Sequence, residues 1–165
     1  MESDHLQRTK LSPPAVIAIQ DLEEWLTNNT KFVHKEGGFY EYGDEEEKNQ
    51  KLKPLLEALG VSSTRQRLFR ASGPKYPTLF ASGGCLFLYP LRLHGIKVPD
   101  IGEKGQNIKK VPLEVGYSIT ITELSYISPG LDFLTLSGGD LATVKLRGND
   151  SLGITSLSPT TKATP

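Results

Sequence analysis

Tyr117-Ser118-Ile119-Thr120-Ile121-Thr122-Glu123-Leu124-Ser125-Tyr126-Ile127 alternates apolar and polar side chains with a period of two, the signature of a strand with one buried face. Ile119 and Ile121 hold one parity and Leu124 and Tyr126 the other, so one strand with a bulge near Glu123 is expected. Downstream, residues 131–136 and 141–146 flank Ser137-Gly138-Gly139-Asp140 as a hairpin would, and Gly148-Asn149-Asp150 turns into a last strand at 153–157. Upstream, Cys85-Leu86-Phe87-Leu88-Tyr89 is a continuous apolar run of strand length, expected to be covered on both faces. Pro90 calls for a bulge, a bend or an edge position there. The expected core comprises Leu86, Leu88, Ile119, Ile121, Leu134, Leu136, Val144 and Leu146.

The first half has a different texture. Ser12 caps an amphipathic helix that has Pro13 and Pro14 in its first turn, Ala15, Ile19, Leu22 and Leu26 on one side, and an end near Asn28. Phe32-Val33 and Phe39-Tyr40 flank Glu36-Gly37-Gly38 as a small hairpin. An acidic run at 44–47 leads into Leu52, Leu55, Leu56 and Leu59 with Gly60 as C-terminal cap, the regular part starting at or just before Pro54. Ser63 and Gln66 have capping-box spacing and open a short third helix to about Ala71, which Gly73-Pro74 stops. Residues 99–110 form a long polar connection. The fold class is α+β: N-terminal helices and a small hairpin, then a C-terminal antiparallel β-sheet or small sandwich. Residues 1–11 are expected to be a flexible arm, 12–157 one globular domain, helical over 12–73 and β-rich over 76–157, and 158–165 a flexible tail.

Composition narrows the function classes. Nineteen basic residues balance nineteen acidic ones among 165, so no global field draws nucleic acid or an anionic membrane, and such binding would need a local patch. Near-zero net charge permits self-association. The polar start lacks a secretory pattern, and no stretch approaches the roughly 20 apolar residues of a membrane helix. One cysteine fits a reducing compartment, so the protein is expected to be intracellular and non-secreted.

Reactive chemistry is sparse: one cysteine and three histidines, His5, His34 and His94. Cys85 follows Ser82-Gly83-Gly84 with His94 downstream, the makings of a nucleophile and base, but it also opens an apolar run, and a packing role is expected. Gly37-Gly38 and Gly83-Gly84 lack the lysine and hydroxyl residue of a phosphate loop. Asp132, Asp140 and Glu123 are the carboxylates on which an enzyme could be built. No catalytic, cofactor or metal residues are assigned, and no small-molecule substrate is evident.

The strongest local charge signal is Arg65, Arg67 and Arg70 on the expected third helix, with Lys75 beyond. Arg67 and Arg70 would share a helical face able to meet phosphates of RNA or lipid. Tyr76-Pro77-Thr78-Leu79 resembles the Tyr-Pro-x-Leu late-domain peptides by which enveloped-virus matrix and Gag proteins engage the budding machinery, with Tyr76, Pro77 and Leu79 as the partner-contacting residues. The general layout, a β-rich core with a mobile arm and tail, a local basic patch and long polar loops, resembles that of virus-encoded matrix proteins. That resemblance implies a non-enzymatic structural protein that self-associates and contacts nucleocapsid or an anionic membrane, and a virion component if the chain is viral. The alternative is a nucleic-acid-binding accessory protein using the basic helix.

Overall fold

The computed structural model describes residues 6–29, 31–35, 39–61, 65–72, 78–82, 85–95, 97–103, 110–137 and 143–146. Its elements run β1 (Leu6–Lys10), α1 (Pro13–Gln20), α2 (Glu23–Thr27), β2 (Phe32–Lys35), β3 (Phe39–Tyr42), α3 (Glu45–Leu59), β4 (Arg65–Ala71), β5 (Thr78–Ser82), β6 (Leu86–Leu93), β7 (Asp100–Glu103), β8 (Lys110–Pro112), β9 (Tyr117–Ile121), β10 (Ser125–Ile127), β11 (Leu131–Ser137) and β12 (Thr143–Leu146). They build an α+β fold with a seven-stranded antiparallel sheet, β1-β9-β6-β11-β4-β3-β2, and a five-stranded one, β12-β5-β10-β7-β8.

Two cores give three layers. Phe39, Phe69, Leu86, Leu88, Ile119, Ile121, Leu131 and Phe133, from the large sheet, pack with Leu79, Ile101, Val111 and Ile127 of the second. On the other face Leu68, Tyr89, Leu134 and Leu136 meet Ile19, Leu22 and Leu26 of the first helical segment and Leu52 and Leu55 of α3. β11 lies in the middle, with every residue buried. Strand parity assigns the faces: on β11 the odd positions Leu131 and Phe133 serve the sandwich and the even ones Leu134 and Leu136 serve the helices. Leu86, Leu88, Ile119, Ile121, Leu134 and Leu136 are fully buried as expected. The side chains of Val144 and Leu146 fall outside the described set.

Several expectations are corrected. Residues 65–71 are strand β4, hydrogen-bonded between β3 and β11, and not a third helix. A seven-residue helix is marginal on its own. As a strand the segment buries the adjacent Leu68 and Phe69 on opposite faces, one in each core, and that pairing overrides the capping-box signal. Residues 6–10 are not arm but strand β1, because Leu6 is buried against Ile121, its partner on β9. The stretch 117–127 is two strands in different sheets, so its parity change marks a crossing and not a bulge. β11 and β12 likewise form no hairpin, since β12 pairs with β5. The polar stretch 99–110 contains β7, with Ile101 in the sandwich core.

The helical layer differs in detail. The first helix is two, α1 and α2. α3 starts at Glu45 and runs through Pro54. An interior proline costs about 3 kcal/mol. The first turns withstand it because Asp44 Oδ1 accepts the Glu47 N–H at 3.0 Å and Lys48 Nζ donates to Glu45 and to Gln66 O, both at 2.9 Å. Gly60 caps the far end at φ 74°, as expected. The 31–42 hairpin is present as β2 and β3. The strand and turns expected after 146, and the tail 158–165, lie outside the described residues. Among the described residues no helix is long and apolar enough to cross a membrane.

Candidate functional site

Asp132 is the one fully buried carboxylate among the described residues, and it sits on the central strand β11. Its neighbours follow from register. Arg70 of β4 lies opposite on one side, and Arg92 of β6 on the other. The second pairing needs a bulge: Phe133 opposes Pro90 and Asp132 opposes Arg92, so Leu91 is the extra residue. Without it Leu91 would face Asp132. His94 follows β6 and is placed by its own backbone, whose N–H donates to Gly130 O at 2.8 Å. Gly130 has φ 116°, a conformation L side chains rarely adopt, and its N–H donates to Ala71 O at 2.7 Å. That turn fixes the entry to β11 and the position of His94 together.

The carboxylate is saturated. Oδ1 accepts from Arg70 Nε at 2.6 Å and meets His94 Nε2 at 2.9 Å; Oδ2 accepts from Arg70 Nη2 at 3.0 Å and Arg92 Nε at 3.2 Å. Four contacts use the acceptor capacity of an ionised carboxylate. Burial, the largest single influence, pushes the Asp132 carboxyl up, but the hydrogen bonds from His94 and Arg70 and their charges outweigh it and hold it below its ordinary range. Arg70 is further fixed by donating from Nη2 to Leu26 O at 3.0 Å and stacking on Phe32, 4.1 Å from the ring centroid. Arg70, Arg92 and His94 each keep about a fifth of their side-chain surface exposed, at 19%, 20% and 23%.

A second polar cluster ties the helices to the hairpin. Glu47 accepts from Lys31 Nζ at 2.7 Å, Tyr42 Oη at 2.7 Å and Trp25 Nε1 at 3.1 Å, and these bonds, that from Lys31 foremost, hold its carboxyl down at about 2. Its three partners come from three different segments, α2, the residue before β2, and β3, so it reads as a structural joint.

The arginines singled out from sequence do not form the expected face. On strand β4, Arg65 and Arg67 share the sandwich-side parity and Arg70 takes the other, the reverse of the helical grouping. Arg67 is held by Glu41 in a bidentate pair, 2.9 and 2.8 Å, and stacks on Phe69. Arg65 is exposed. Lys75, Tyr76 and Pro77 lie outside the described residues, whereas Leu79 is fully buried in the sandwich core and as placed is not available to a partner.

Cys85 and His94 flank opposite ends of β6, nine residue steps apart, roughly 30 Å at about 3.3 Å each. They make no nucleophile–base pair, and His94 instead faces Asp132. Asp140 lies outside the described residues. Among the described residues no group of three or more His, Cys, Asp or Glu side chains is arranged to hold a metal ion. The Asp132 cluster escaped sequence reasoning because its members are spread from 70 to 132. The available signal was an aspartate inside the apolar run Leu131-Asp132-Phe133-Leu134, where a buried charge requires partners. No protein-family model matches the chain, and comparison with curated proteins finds no significant match.

Proposed function

We propose that this chain is a non-enzymatic structural protein, matrix-like in layout, that self-associates through the β2 edge of its large sheet and contacts an anionic partner. The observation that carries the reading is the chemistry of that edge. Gly43 N–H donates to Lys31 O at 2.9 Å, which makes these two a hydrogen-bonded pair. Alternation along the antiparallel ladder then gives Val33–Glu41 and Lys35–Phe39 the bonds to β3, and turns the backbone N–H and C=O groups of Phe32 and His34 outward. Outward groups on an edge strand are a template for another strand. Val33 beside them is 52% exposed, and zero net charge puts little repulsion between copies. The opposite edge, β1, carries Arg8 and Lys10, charges of the kind that discourage pairing, against the single Lys35 at the end of β2. Pairing of β2 with β2 of a second copy about a twofold axis is therefore favoured. The saturated state of Asp132 supports the non-enzymatic half, since a carboxylate with its acceptor positions used is poorly placed to take a proton or attack a substrate.

His34→Pro tests the reading, because it removes an outward N–H and leaves the β2–β3 ladder intact. By light scattering the wild-type mass should rise with concentration to at least that of a dimer, while His34→Pro stays monomeric with an unchanged thermal midpoint. A wild-type protein that is monomeric throughout, or a variant that associates equally well, refutes it.

A further inference from the structure

We propose that Arg92, Arg70 and His94 form a binding site for a terminal phosphate group, with Asp132 as the positioning residue that holds them. The inference rests on the anionic-contact half of the function proposed above and is independent of the self-associating half. Charge is the first argument: two guanidinium groups face one carboxylate, leaving +1, or +2 when His94 is protonated. Donor geometry is the second. Arg92 spends only Nε on Asp132, so among the described residues its Nη1 and Nη2 have no partner and four N–H donors remain at a partly exposed position. That outer pair is the fork that meets two oxygens of one oxyanion, which a lysine cannot reproduce.

Rigidity is the third argument. Arg70 is fixed by Asp132, the Leu26 carbonyl and the Phe32 ring, Arg92 by Asp132 through Nε, and the His94 ring by Asp132 on a backbone tied to Gly130 O, so these groups are held before a ligand arrives. Asp132, fully buried behind them, acts only through the groups it orients. A phosphate monoester matches both the surplus charge and the fork. It is supplied either by a lipid headgroup or by a soluble phosphate compound.

The probe is inorganic phosphate, titrated at constant ionic strength while the Arg92 Nε–H and His94 ring NMR signals are followed. The expected result is saturable movement of both in wild type and in Arg65→Gln, and in Arg92→Gln, read from the His94 ring signals, an affinity at least about tenfold weaker, as loss of a charge-assisted contact implies. Arg92→Lys serves if the glutamine variant is unfolded by its thermal melt: it keeps a cation beside Asp132 but lacks the fork, and should also bind more weakly. Flotation with phosphatidic acid vesicles and with phosphatidylglycerol vesicles separates the sources. Preference for phosphatidic acid, competed by phosphate, identifies a headgroup, and phosphate binding with no vesicle binding identifies a soluble ligand. No saturable movement, or equal affinity in the folded Arg92 variant, overturns the proposal. Self-association is read separately by light scattering, so failure of one leaves the other standing.

Discussion

Replacing Asp132 by asparagine keeps the shape of the side chain and removes its charge, and the structure sets the size of the result. Removing one partner of a buried ion pair costs about 3–5 kcal/mol when the remaining charge is stranded. Here the stranded groups are Arg70 and Arg92, which are about one-fifth exposed and can recover part of their hydration. The asparagine oxygen can still accept one or two of the four contacts, so the expected loss is about 2–4 kcal/mol. With a urea m-value of about 2 kcal/mol/M, the unfolding midpoint should fall by about 1–2 M with m unchanged.

The pH dependence supplies a second, independent readout. His94 and Arg70 hold the folded-state carboxyl below its unfolded value despite burial. Its contribution is therefore present above the unfolded pKa, about 3.9, and is lost as pH falls through the folded one. Wild type should lose stability below about pH 4, and Asp132→Asn should lose less over the same interval because that group no longer titrates. A midpoint within about 0.2 M of wild type, together with an unchanged acid limb, would refute the view that this cluster is a coupled buried site.

Ile121→Ala removes a fully buried side chain that faces the sandwich core, with Leu6 and Leu86 as its strand partners. Chemical denaturation should show a loss of about 2–5 kcal/mol. Glu47→Gln removes a carboxyl held at about 2 by Lys31, Tyr42 and Trp25. That stabilisation is present above the unfolded value near 4.5 and disappears toward pH 2, so the variant should be less stable than wild type at pH 7 and approach it in acid, as followed by circular dichroism. Together with His34→Pro, which should keep the chain monomeric, these substitutions probe the sandwich core, the helix–hairpin joint and the free edge separately.

Element type was readable where one physical signal acted alone. The two-residue period of 117–121, the apolar run 86–89, the Gly60 cap and the glycines between β2 and β3 each had one consistent interpretation. Errors arose where local and tertiary preferences compete. Ser63 and Gln66 offer a helix start, but burial of Leu68 and Phe69 in two cores makes the segment a strand. Pro54 argues against a helix that capping at Asp44 and burial of Leu52 and Leu55 sustain. Pairing partners were illegible because register depends on contacts across the chain: neither the break between β9 and β10 nor the separation of β11 from β12 leaves a compositional mark. The site was hidden for the same reason, since Arg70, Arg92, His94 and Asp132 meet only once β4, β6 and β11 are aligned.

Pro90 connects the sequence to that site more directly than any of the charged residues. A proline inside a central strand would break a ladder, yet the β9 ladder on β6 stops at Leu88, and Pro90 stands two residues beyond it. On the β11 side the same position carries the register shift, which the proline tolerates because it has no N–H to satisfy. One extra residue there moves Arg92, and not Leu91, opposite Asp132. The leucine stays in the helix-side core while the arginine joins the carboxylate. A bulge that served packing alone would need no cation at its next position. This one delivers a second guanidinium to a carboxylate already paired with Arg70, and an excess positive charge held rigidly at a partly open position is the physical basis for expecting an anion there.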